Sequence, residues 1–139
     1  MILVDSSVWI ELFRSHGDMA VSLAVENLAS EFAAVLCGPV KMEVLGGARK
    51  SEEDRILELF DLIPYIPESE RLWEQTAQFY QRLRAAGITV PWVDAMIAGI
   101  ASRRGYRVYA QDKHFREMAD KGFLQLYIPG PGGRFVNDG

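Results

Sequence analysis

"VYAQDKHF", residues 108–115, begins as an apolar, β-prone run and turns polar at Asp112, with Lys113, His114 and Phe115 directly behind it. The N-terminus repeats the pattern: "MILVDSSVW", residues 1–9, runs as a short apolar strand straight into Asp5. Continuous apolar runs of this kind suit parallel strands that are covered on both faces. Alternating strands and helices predict a three-layer α/β/α sandwich around a short, mainly parallel sheet with right-handed crossovers. In such open sheets ligands bind at the carboxyl ends of the strands. Asp5 and Asp112 both fall on that edge, although they lie at opposite ends of the chain.

The segments between them follow the same alternation. Ser6 or Ser7 suits the cap of a helix carrying Trp9, Ile10, Leu12 and Phe13. A second helix is expected over 19–29, with Val21, Ala24, Val25 and Leu28 on one stripe. "AAVLC", 33–37, reads as a strand, and Pro39 opens the helix "VKMEVL", which stops at Gly46 and Gly47. Acids at 52–54 begin a helix with Ile56, Leu57 and Phe60. "LIPYIP", 62–67, is expected as an edge strand because of its prolines. A long helix over 68–85 is followed by "WVDAMIAGIASRR", which starts after Pro91 and stops at Gly105. A strand over 107–111, a helix over 113–120 and a last strand "LQLYI" complete the pattern. The tail "PGPGGRFVNDG", 129–139, is expected to be loosely held and to face a partner. Residues 1–139 read as a single domain.

Composition narrows the classes. The chain has 139 residues, 49% hydrophobic and 24% charged, with a formal net charge of -4. That is an ordinary globular balance and excludes a generic polyanion binder. Between residues 75 and 111 the only acid is Asp94, against Arg82, Arg84, Arg103, Arg104 and Arg107. With Lys113 and Arg116, the last three suit either a nucleic-acid backbone or ordinary helix ends. The one cysteine, Cys37, reads as a small buried hydrophobe and fits a reducing compartment. "MILVDSSVWIEL" has no basic leader, and no apolar run reaches the length of a membrane span. A cytoplasmic location is therefore expected.

Two more acids stand out. Asp94 lies in the first turn of an otherwise apolar helix and shares a face with Ile97, Ala98 and Ala101. A lone charge is costly there. Glu43 sits in a mostly apolar helix after the second strand. Carboxylates gathered on one edge repel one another and raise each other's pKa unless a hard divalent cation joins them. All-oxygen ligation favours Mg²⁺, with Mn²⁺ as a substitute, and such ions suit phosphodiester hydrolysis.

Plainer readings exist for each residue. Asp5 and Asp112 also fit helix caps, and Trp9, Phe13 and Trp73 fit core or a dimer surface. His114, two residues past Asp112, is placed to touch a substrate phosphate, whereas His16 reads as solvated. Two histidines so far apart in sequence do not suggest a zinc site. Ser6 and Ser7 lack the GxSxG elbow of a serine hydrolase, and no Walker A or GxGxxG motif is present. Single-stranded RNA is the preferred substrate.

With "ILVDSSVWI" (Asp5), "PVKMEVLGG" (Glu43), "VDAMIAGIA" (Asp94) and "AQDKHF" (Asp112) in this order and spacing, the chain resembles the PIN-domain nucleases. Among them it is similar to the VapC-type ribonuclease toxins of toxin–antitoxin pairs. The resemblance runs from residue 2 to about residue 128. It implies a PIN-like fold and a Mg²⁺- or Mn²⁺-dependent endoribonuclease, with Asp5, Glu43, Asp94 and Asp112 as the metal-binding acids. Ser7 matches a supporting polar position. Gln111 stands where the family often has Thr or Ser, which bears on a second metal. The resemblance further implies a homodimer and a cognate antitoxin that blocks the acidic site with a basic side chain. Rival readings are a PIN-like binding module without activity and a structure-specific DNA nuclease.

Overall fold

The first strand, β1 (Ile2–Val4), is almost wholly excluded from solvent, and the sheet is built around it. The computed structural model describes residues 1–137. β2 (Ala34–Val35) lies parallel to β1, with Ile2 opposite Ala34 and Leu3 opposite Val35. β3 (Arg107–Tyr109) lies parallel on the other side, from Ile2 opposite Arg107 to Val4 opposite Tyr109. The order is β2-β1-β3. The chain leaves central β1 toward one side and later crosses to the other, so the carboxyl end of β1 is a switch point where a crevice forms.

The helices are α1 (Ser6–Phe13), α2 (Met19–Ser30), α3 (Gly38–Gly46), α4 (Glu53–Phe60), α5 (Glu70–Ala85), α6 (Trp92–Arg104) and α7 (Lys113–Asp120). Single 3₁₀ turns lie at Lys50–Glu52 and Pro131–Gly133. α2 packs with α1 and β2, while α6 packs with α5, α3, β3 and α7. This is the three-layer α/β/α arrangement expected from the strand–acid–helix pattern.

The strands are shorter than their apolar runs. The two outer segments expected as strands reduce to single parallel bridges, Leu36 with Tyr65 and Val108 with Leu126. Pro64 and Pro67 flank the first and remove ladder donors, as prolines do at a sheet edge. β3 ends at Tyr109, so Asp112 stands on the loop beyond the strand and caps α7, its Oδ1 accepting from the His114 N–H at 2.8 Å. The cap of α1 is Asp5 and not Ser6 or Ser7: Asp5 Oδ2 accepts from the Ser7 N–H at 3.1 Å.

Trp9 fastens α1 to β1. It is fully buried, its Nε1–H donates to the Val4 carbonyl at 3.2 Å, and Phe60 meets it edge-on. Helix α6 is buried continuously from Asp94 to Ala101. Gly99 lets α5 approach it closely, because a Cβ there would stand 3.2 Å from Phe79 and from Thr76 side-chain atoms. Cys37 is fully buried, and burial pushes its thiol up to about 12, which leaves it an unreactive packing residue at neutral pH.

The segment after residue 128, expected as a loosely held tail, lies along α2 as far as it is described. Asn27 Nδ2–H donates to the Gly133 carbonyl at 2.8 Å, Arg107 donates to the Val136 carbonyl at 3.1 Å, and Gly133 is buried. Residues 138–139 of that expected tail lie outside the described residues.

Candidate functional site

Three elements aim acids at the carboxyl edge. The end of β1 supplies Asp5, the loop after β3 supplies Asp112, and the first turn of α6 supplies Asp94. Asp5 and Asp94 are buried, at 3% and 8% exposure. Ligand atoms of Asp94, Asp112 and His114 all lie within 4.8 Å of one another. Asp5 and Glu43 stand outside that tight group, yet their charges reach Asp94.

Serines organise this edge. Ser7 Oγ–H donates to Asp5 Oδ2 at 2.6 Å, and Ser7 Oγ accepts from the Gln111 main-chain N–H at 2.9 Å. One hydroxyl thus ties the end of β1 to the loop that carries Asp112. Ser6 Oγ–H donates to Glu43 Oε1 at 2.8 Å and orients the exposed Glu43 from α3 toward α1. The role of Ser6 was not visible in the sequence, where it reads as a helix cap. Gln111 takes part through its main-chain N–H.

Burial dominates the electrostatics. It raises the Asp94 carboxyl to about 7, helped by the charges of Asp112, Asp5 and Glu43 and opposed by His114. Burial also raises Asp5, against the hydrogen bonds from Ser7, and Glu43 adds to the rise. Acids that disfavour one another's charge in this way are poised for a cation.

Two buried atoms are left without hydrogen-bond partners here, Asp5 Oδ1 and His114 Nδ1. Buried polar atoms are rarely left so unless something else meets them. Asp5 spends Oδ2 on the helix cap and on Ser7, which leaves Oδ1 for a ligand. The donor set, carboxylate oxygens with one imidazole, fits a hard divalent cation. His114, assigned from sequence to substrate phosphate, lies within ligating distance of the acids.

The basic residues divide. Arg103 and Arg104 close the far end of α6, about 15 Å along the helix axis from Asp94 at 1.5 Å per residue. The Arg107 guanidinium lies 5.0 Å over the Tyr127 ring and also holds Val136. These three do not line the acidic edge, whereas Lys113 and Arg116 belong to the start of α7, the helix that Asp112 caps. Because Trp9 is fully buried within one chain, it is not part of a dimer surface; Trp73 and Trp92 are about half exposed.

The profile of the family described as PIN domain matches residues 2–121. Ribonuclease VapC11 of Mycobacterium tuberculosis is 36% identical over 124 residues, which cover 86% of this chain and 92% of that protein. Among solved structures, VapBC2 from Rickettsia felis, bound to a DNA fragment from its promoter, superposes with a TM-score of 0.74. Its identity is 19%, over 91% of this chain and 98% of that one. VapC20 of Mycobacterium tuberculosis, described as a sarcin-ricin loop cleaving toxin, gives a TM-score of 0.65. Its identity is 21%, over 92% of this chain and 100% of that one. The two structures share the fold. The profile match and the identity to a full-length relative, set on this strand-edge arrangement of acids, establish that the chain belongs to the PIN-domain family and, within it, to the VapC-type proteins.

Proposed function

We propose that the chain is a divalent-metal-dependent endoribonuclease and the toxin of a toxin–antitoxin pair. One observation carries the reading: buried, unpartnered Asp5 Oδ1 beside an Asp94, Asp112 and His114 group whose ligand atoms lie within 4.8 Å. The naming of VapC11 as a ribonuclease supports RNA as the substrate. The toxin–antitoxin assignment is supported by the VapBC pair on promoter DNA and by a toxin–antitoxin complex from Klebsiella pneumoniae with a TM-score of 0.68.

Mg²⁺, or Mn²⁺ in its place, would neutralise the carboxylates, polarise the phosphodiester and increase the acidity of water at the site. Asp5, Asp94 and Asp112 would hold it, with His114 beside them. Ser7 keeps Asp5 in place, and Ser6 keeps Glu43 pointed at the same edge. Glu43, the exposed member, would accept the proton of the water that attacks the phosphate in line; the bond to the 3′-oxygen breaks, and that oxygen takes a proton from solvent. The products carry a 5′-phosphate and a 3′-hydroxyl. Lys113 and Arg116 hold the flanking phosphates or bases.

A cognate antitoxin would cover the acids with a basic side chain. The cleft of about 600 Å³ between α1 and α4 offers it a second hold, with Phe13 and Ile56 inside and Arg14 and Arg55 at the rim. A homodimer in the cytoplasm is part of the same reading.

The test is end analysis of cut RNA. Ends of 5′-phosphate and 3′-hydroxyl are expected, made only with added Mg²⁺ or Mn²⁺. A 2′,3′-cyclic phosphate would reject the route. Faster cutting of a matched DNA strand would move the assignment to a DNA nuclease, and no cutting of either would leave a binding module.

A further inference from the structure

A second cavity, of about 570 Å³, opens beside the acidic edge, between the start of α2, the loop after β3, α7 and the glycine-rich segment 129–133. Gln111, which lines it, immediately precedes Asp112 and is bonded to Ser7, so the cavity and the acids share one loop. Tyr109 also lines it. That side chain is 7% exposed, its ring is held edge-on against Tyr127, and its hydroxyl makes no hydrogen bond among the described residues. Asp18 faces the same space: one oxygen, Oδ1, caps α2 by accepting from the Ala20 N–H at 2.8 Å, and Oδ2 makes no hydrogen bond among the described residues. Arg116 also lines the cavity and forms no ion pair or hydrogen bond among the described residues.

We propose that this cavity is a base-specific subsite that takes an unpaired guanine of the RNA strand next to the cut phosphate. Guanine presents two parallel donors, N1–H and N2–H, which match a carboxylate, and two acceptors, O6 and N7, which match a guanidinium. Unpaired bases in RNA are read on these same two edges. Adenine and cytosine set a ring acceptor against Asp18, and uracil flanks its one ring donor with carbonyls. The Tyr109 hydroxyl adds a donor to the lining. The wall has no side chain at Gly130, Gly132 and Gly133, which lets a flat base approach the backbone.

This inference rests on the ribonuclease reading for the strand it names, and the experiment separates the two. Single-stranded RNA with randomised positions is cut by the wild type, Arg116→Ala, Asp18→Asn and Tyr109→Phe, and the cut sites are sequenced. Asn preserves the α2 cap and Phe preserves the ring packing, so altered readout does not come from unfolding. The readout is the base composition of the cut sites and not the rate. Wild type is expected to enrich guanine at one fixed position beside the cut by at least about tenfold, and Arg116→Ala and Asp18→Asn to lose that enrichment. Equal base frequencies in wild type, or enrichment that survives both substitutions, would overturn the subsite. Where wild type or a variant cuts no RNA, titration of the isotopically labelled chain with guanosine and adenosine 5′-monophosphates decides. Guanosine-selective shifts at Gln111, Arg116 and Gly132, absent in Arg116→Ala, support the subsite even if the nuclease reading fails. No selective shift overturns it.

Discussion

Ser7 Oγ lies 2.6 Å from Asp5 Oδ2 and 2.9 Å from the Gln111 main-chain nitrogen, so one hydroxyl holds both strand ends of the acidic edge in register. It donates to the carboxylate and accepts from the amide, and no other single atom among the described residues joins these two segments through its side chain. Ser7→Ala is expected to keep the fold and the main-chain cap on Asp5 while removing the hydroxyl tether. Groups that orient a metal ligand are typically worth about 10- to 100-fold in metal affinity. The expected outcome is a loss of about that size in Mn²⁺ affinity by calorimetry, with unfolding stability lowered by only about 1 kcal/mol. Wild-type affinity in Ser7→Ala would show the tether to be idle.

Asp94 gives the chain a pH-dependent stability of defined sign. Its carboxyl titrates near 7 in the folded chain against 3.8 as the ordinary value. Between those values the folded state binds more protons than the unfolded one, so stability falls as pH rises through this window and levels off above about 7. Without added metal, the melting temperature of wild type is expected to fall from pH 5 to pH 8. Asp94→Asn lacks this component, melts higher than wild type at pH 8 and gains nothing at pH 4. Parallel melting curves for the two proteins across this range would contradict the burial of Asp94 as a charge.

Divalent cation should reverse the same penalty. A ligand at 100 times its Kd stabilises the native state by about 2.7 kcal/mol. Mg²⁺ or Mn²⁺ is therefore expected to raise the melting temperature of wild type at pH 8 by several degrees, and EDTA to abolish the rise together with RNA cutting. Asp94→Asn is expected to show little shift. A cation effect of equal size in both proteins would place the ion elsewhere.

Asp5 separates capping from chemistry. Asn is as good a helix cap as Asp, so Asp5→Asn keeps the contact with the Ser7 N–H while removing the charge. RNA cutting is expected to fall by at least about 100-fold, the scale of losing one electrostatic contact to a reacting centre. Circular dichroism and the melting temperature without metal should stay near or above those of wild type. Full cutting by Asp5→Asn would mean that its only role is the cap.

Gly133 fixes the C-terminal segment to α2. Its φ is +79°, and an added Cβ would meet Ala24 N at 2.7 Å and Leu23 Cβ at 2.9 Å. Gly133→Ala is expected to cost about 1–3 kcal/mol in urea unfolding and to expose Tyr127 and Phe135, which stack in this region. Unchanged stability and unchanged tyrosine quenching would show that the segment does not depend on this seat.

Local chemistry alone made much of the protein legible. Short apolar runs that end on acids marked β1 and β3, Pro39 and Pro91 marked helix starts, and Gly105 marked a helix stop; each depends only on near neighbours in the chain. The acid in the first turn of an apolar helix exposed Asp94 as anomalous, because burying a charge is costly wherever the helix lies. What only the tertiary structure decided is how those acids share their work. Asp5 and Asp112 act as helix caps on the edge where Asp94 and His114 stand, Ser6 and Ser7 act across the chain, and Arg103 and Arg104 fall at the wrong end of α6. The proximity of Asp94, Asp112 and His114, and the partnerless oxygen of Asp5, depend on angles between elements that meet through packing. No local pattern encodes those angles, because they are set by how α6, α3 and α1 settle against one three-stranded sheet.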